Sequence, residues 1–136
     1  MDTGSMMFYA AGLAIAFYGL FVAAMSFWIL VNPESWSRAA TYYCRQWYMH
    51  PVEIGITLLS GVIFLVYAPQ SISPTVFKTV GHFLLALGAI LMLVPPSRHR
   101  QFGAWSIEKI RPVLRTLAVP WLVLGVLLIW FGLGGS

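Results

Sequence analysis

Between Pro95 and Arg115 the chain reads PPSRHRQFGAWSIEKIRPVLR, and five of its eight Lys and Arg residues fall there: Arg98, Arg100, Lys109, Arg111 and Arg115. On both sides the sequence is apolar for long enough to cross a bilayer. A cationic segment between two such runs does not follow them into lipid, so it sets how the chain is threaded. Of 136 residues, 60% are hydrophobic and 9% charged, whereas soluble domains carry about a quarter charged residues. With a mean hydropathy of +0.82, the solvent such a chain suits is lipid. A formal net charge of +4 would point to nucleic acid in a soluble protein. Here the cations flank apolar runs, which points instead to anionic lipid headgroups and to no nucleic acid.

The expected fold is all-α, a single membrane domain of four transmembrane helices over about 8–31, 52–68, 75–94 and 113–133. Two amphipathic, interfacial segments join them, over 33–50 and 95–112. In the first span Gly12, Ala16, Gly19, Ala23 and Ser26 form one small-residue stripe, which lets a neighbouring backbone approach closely. Gly81 and Gly88 in the third span, and Ala118, Gly125 and Gly132 in the fourth, step by seven and predict further packing faces. In the segment opened by Pro33, Trp36, Ala40, Tyr43 and Trp47 share one side and Glu34, Arg38, Thr41 and Arg45 another. That is the pattern of a helix lying at headgroup level. Glu34 and Arg38 are spaced to pair. His50-Pro51 is expected to end this helix, and PQSISP (69–74) to form a short turn between antiparallel spans.

Arg38 and Arg45 lie between spans one and two, and the five central cations lie between spans three and four. An even number of crossings separates these loops, so they face the same side. The excess of positive charge places that side in the cytoplasm and both termini outside. Only Asp2 is charged ahead of the first apolar run, so the start lacks the basic stretch of a secretory signal. Each half of the chain repeats one plan: a span with Gly-x6-Gly, a proline, a Trp-bearing basic segment, a basic residue before proline, and a second span. Two spans per half give a parallel repeat, unlike the inverted repeats of many secondary transporters.

Groups able to do chemistry are scarce. The acids are Asp2, Glu34, Glu53 and Glu108, and the one cysteine, Cys44, rules out an intrachain disulfide or a cysteine metal cluster. Glu53 lies three residues from His50, a spacing that permits a local ion pair. His82 is the one histidine inside an apolar run, and it marks the candidate heme or quinone contact. Glu53 and His82 are expected near opposite faces of the bilayer, too far apart to share a catalytic site. No phosphate loop, paired-histidine motif or nucleophile elbow is present. Mid-span positions lack ionisable groups, which pumps and channels keep there; Thr57 and Ser60 are the polar residues near the middle of span two.

His50-Pro51, Ala68-Pro69, the Ser73-Pro74 turn leading to Val80-Gly81, and the run Arg98-His99-Arg100-Gln101-Phe102 resemble small multi-span bacterial inner-membrane proteins of no assigned activity. The resemblance implies a bacterial inner membrane and nothing about chemistry. The expectation is therefore a non-enzymatic scaffold or accessory subunit of a membrane complex, with no metal and no cofactor. Its partners are anionic lipid headgroups and another membrane protein or further copies of itself. Trp36, Arg38, Arg45, Trp47, Arg98, Arg100, Phe102, Trp105, Lys109, Arg111 and Arg115 form the lipid or partner surface. The alternatives are an oligomeric transporter or channel, and a heme- or quinone-binding subunit using His82.

Overall fold

The computed structural model describes residues 2–134, and every regular element among them is helical. Six α-helices follow one another: α1 (Thr3–Val31), α2 (Pro33–Cys44), α3 (Met49–Tyr67), α4 (Pro74–Leu93), α5 (Pro96–Ile110) and α6 (Leu114–Gly132). Four stretches, containing α1, α3, α4 and α6, are long and apolar enough to cross a membrane. α2 and α5 are the two polar helices between them, and they pack on each other. They make one end of the bundle cationic.

Local chemistry explains where the helices begin. The Asp2 carboxylate accepts from the Ser5 amide at 2.7 Å, a side-chain cap that carries α1 five residues further toward the N-terminus than its apolar run. Asn32 ends α1 and caps α2, its Oδ1 accepting from the Ser35 amide at 3.1 Å. Pro33 follows at the first position of α2, where a helix has no use for an amide hydrogen. Pro51 behaves the same way. Expected to close the interfacial helix, it instead sits in the first turn of α3, which opens at Met49. The early amides of a helix have no carbonyl to reach, so proline costs little there. Pro120 lies inside α6 and removes one ladder bond, which membrane helices tolerate. PQSISP resolves into a 3-10 turn over Ala68–Gln70 and a short connection to α4.

The tightest contact joins α1 to α6. A Cβ at Gly12 would sit 2.7 Å from the Gly132 carbonyl oxygen, and one at Gly19 would sit 2.5 Å from that of Gly125. Reciprocally, a Cβ at Gly125 would lie 2.7 Å from the Ala23 amide nitrogen, and one at Gly132 2.6 Å from that of Ala16. As residue numbers rise in α1 they fall in α6, so the two helices run antiparallel, each with a glycine every seven residues. Ser26 and Ala118 continue the series at the cationic end, 2% and 1% exposed. The Ser26 hydroxyl donates to its own helix, to the Val22 carbonyl at 2.8 Å.

α3 and α4 form the second antiparallel pair, with a looser contact. Gly61 and Gly81 face each other, each Cβ position 3.0 Å from the other's carbonyl oxygen. Gly61 was not among the expected packing glycines because it has no partner at a seven-residue step. Gly88 departs from the expected meeting of two backbones: a Cβ there would meet the end of the Leu58 side chain, with the nearest backbone atom 3.6 Å away.

The helix pairings α1–α6, α3–α4 and α2–α5 are those that exchange of the two half-chains would interconvert, as a parallel repeat requires. Away from the cationic end, Phe8 stacks on Tyr67 at 4.8 Å and Phe77 packs on Phe64 and Tyr67. The Tyr67 hydroxyl donates to the Phe131 carbonyl, so this aromatic cluster ties α1, α3, α4 and α6 together.

These contacts rank the glycines. Gly19→Leu should lower stability in detergent by about 1–3 kcal/mol through overpacking. Gly88→Ala should cost clearly less, because Leu58 can rotate away. Gly55→Ala, with nothing within 4 Å, should be neutral or stabilising by helix propensity. Thermal unfolding of the three variants checks the order, and equal losses at Gly19 and Gly88 would contradict it.

Candidate functional site

Polar side chains converge at the cationic end, where α2, α5 and the first turn of α3 meet. Helical spacing puts Trp36, Ala40 and Tyr43 on one side of α2. That side closes over Cys44, Met49 and Ile107 as a small second core. Trp36 therefore corrects the expectation for the lipid-facing surface. It points inward because α5 offers α2 a protein partner, and its buried indole nitrogen has no partner among the described residues. Trp47 lies beyond the end of α2 and is 79% exposed.

The proposed His50–Glu53 pair is also corrected, since each side chain has another partner. His50 Nδ1 lies 2.7 Å from His99 Nδ1, with the rings crossed at 76°. Both histidines are buried, at 7% and 9% exposure. At that distance only one of the facing nitrogens carries a hydrogen, and the other supplies its lone pair. Burial chiefly, then the neighbouring His50, draws His99 below the ordinary histidine value of 6.5, with Glu53 opposing. Glu53 Oε1 accepts from the Tyr43 hydroxyl at 3.2 Å. Burial first, then the Glu53 carboxylate, pushes Tyr43 up to about 12, so the phenol remains a donor across the physiological range. The buried Cys44 thiol is raised by the same two causes, which keeps it protonated and unreactive. Gly103 lets α5 approach it, since a Cβ there would lie 2.9 Å from Cys44 Sγ.

The basic residues divide by what they touch. Arg38, Arg45, Arg98, Lys109 and Arg115 are exposed, while Arg100 is half-buried beside a shallow hollow that it shares with Arg45. Arg111 turns back on the protein: its Nε donates to Ser37 Oγ at 3.2 Å, and a terminal nitrogen lies 3.8 Å from Glu108. This is the one ion pair among the described residues, so Glu34 and Arg38 do not pair. Phe102 and Trp105 are exposed, with rings 5.8 Å apart, and Lys109 Nζ stands 5.8 Å from the Trp105 ring centre.

His82 is exposed on α4, beside Lys78 and a hollow bounded by Pro69 and Pro74. It has no hydrogen-bond partner among the described residues, and no three His, Cys, Asp or Glu side chains there group as a metal-binding set. His99, Ser37 and Tyr43 are the site residues that sequence reasoning passed over. Spacing signals find partners along one helix, whereas these are joined across helices 49, 74 and 10 residues apart. No protein-family model, curated protein or solved structure matches the chain, so the resemblance to small inner-membrane proteins gains no family.

The lowered His99 sets a pH dependence. A base whose folded value lies below its ordinary one binds protons more readily when unfolded, so stability falls as pH drops below about 6.5. Thermal midpoints between pH 7.5 and 5.5 should decline for the native protein. For His99→Gln the midpoint should be lower throughout and the decline shallower. An unchanged slope would mean that His99 does not carry the effect.

Proposed function

We infer that this chain is a non-enzymatic scaffold or accessory subunit of a membrane complex, with four spans crossing the bacterial inner membrane. The α2–α5 pair would rest on the cytoplasmic leaflet, and both termini would lie outside. The observation that carries the reading is the division of polar groups at the cationic end. Three pairs bond across helices: His50 to His99, Tyr43 to Glu53 and Arg111 to Ser37. Those turned outward are mostly cations, Arg38, Arg45, Arg98, Lys109 and Arg115, with the rings of Phe102 and Trp105 among them and Glu34 and Glu108 as the exposed acids. This arrangement suits a surface that meets anionic headgroups and a neighbouring membrane protein, or further copies of the chain. Each basic residue near an anionic leaflet contributes about 1 kcal/mol, and rings at headgroup level complete an interfacial anchor.

The threading is testable in a Cys44→Ala background. A Cys introduced at Ser71 should react with an impermeant maleimide added outside intact cells, and one at Gln101 should not. Reaction at position 101 would reverse the orientation. Ser136, the other natural place for such a probe, lies outside the described residues.

The surface role is tested by the double variant Arg98→Glu, Lys109→Glu. It should insert and fold as the native protein does, yet retain less phosphatidylglycerol after purification in mild detergent and lose co-purifying membrane protein. If lipid content and co-purifying protein were both unchanged, the cations would serve orientation alone.

A further inference from the structure

At the cationic end lies a cavity of about 420 Å³ whose walls come from α1, α2, α3 and α5. Its lining includes the rings of Phe21, Trp28, Trp36 and Tyr43, and Glu53 is the one charged residue in it. The volume lies within the usual range for small-molecule sites, about 300–1,000 Å³. Glu53 uses Oε1 to accept from Tyr43; among the described residues no donor bonds to Oε2 and no Lys or Arg pairs with the carboxylate. In a chain of net charge +4, an acid set among aromatic rings without a cation is a specific arrangement. The faces of those rings carry negative quadrupolar charge, which attracts organic cations.

The walls are also held in place before any ligand arrives. Trp28 Nε1 donates to Ser35 Oγ at 3.3 Å, Tyr43 is fixed by Glu53, and Trp36 packs into the core between α2 and α5. Phe21 and Trp28 are exposed on the flank of α1, so the cavity opens sideways, where an apolar solute would arrive from the lipid. We propose that this cavity binds a hydrophobic organic cation, a quaternary ammonium or phosphonium with an apolar body. Glu53 balances its charge, and the Trp28, Trp36 and Tyr43 rings enclose its substituents. The assignment does not depend on the scaffold role.

The experiment is equilibrium dialysis of the full-length protein in a non-ionic detergent. Tetraphenylphosphonium is the probe, and triphenylphosphine oxide is the neutral comparison. Saturable binding of the cation is expected, with only weak binding of the oxide. Glu53→Gln should weaken the cation about tenfold or more, the scale of losing one opposite charge a few ångströms away. Trp28→Leu, a change at the exposed mouth, should weaken it about two- to fivefold. Tyr43→Phe, which keeps the ring and releases Oε1, should bind at least as well as the native protein. Four results would overturn the proposal: no saturable cation binding, equal binding of the neutral oxide, native affinity in Glu53→Gln, or native affinity in Trp28→Leu. Displacement of the probe by stoichiometric phosphatidylethanolamine would assign the cavity to a lipid ammonium and overturn it as well.

Discussion

In lipid, two helices as apolar as α1 and α6 would have almost no hydrophobic reason to associate, and their contact would rest on fit at van der Waals distance. Glycine supplies that fit by leaving no atom between the two backbones. The positions of Gly12 and Gly19 against Gly132 and Gly125 bring carbonyl oxygens to where a β-carbon would stand. Much of the remaining arrangement follows. With α6 seated on α1, the Phe131 carbonyl comes within reach of the Tyr67 hydroxyl, which draws α3 and its partner α4 into the same bundle. The glycine seam is thus the positional reference for the other spans.

At the cationic end a different economy applies, because buried polar atoms lose water and need partners. Three pairs satisfy this across helix boundaries. The histidine pair ties α3 to α5, the tyrosine–glutamate bond ties α2 to α3, and the arginine–serine bond ties the end of α5 to α2. Two of them, the histidine pair and the arginine–serine bond, link elements distant in sequence. The polar helices are therefore a folded part of the protein, with an inner side of their own and an outer side carrying the free cations.

The four long apolar helices, their order and the two polar helices were legible in the sequence because hydropathy and charge are local properties. The seven-residue glycine series in α1 and α6 was legible for the same reason: periodicity along one helix marks a face. Which faces would meet was not. Gly61, a lone glycine in α3, proved to be a contact with Gly81, while Gly88 met a leucine side chain. Trp36 and Trp47 share the aromatic signal of an interfacial helix, yet one is drawn inward by α5 and the other stays exposed. His50 was read with its neighbour Glu53, since spacing rules relate residues three or four apart. Its actual partner comes from another helix, and no periodicity encodes that.

The joint at Asn32 has a mechanical consequence. A single residue separates α1 from α2 and caps the second helix while ending the first. α2 packs on α5, α5 runs through one 3-10 turn into α6, and α6 returns to α1 along the glycine seam. The four helices form a closed linkage with two short covalent corners and two packed ones. In such a loop no member tilts alone. If the bilayer thins and α1 leans to keep its apolar length covered, the lean passes around both corners, and the cationic plate turns with it.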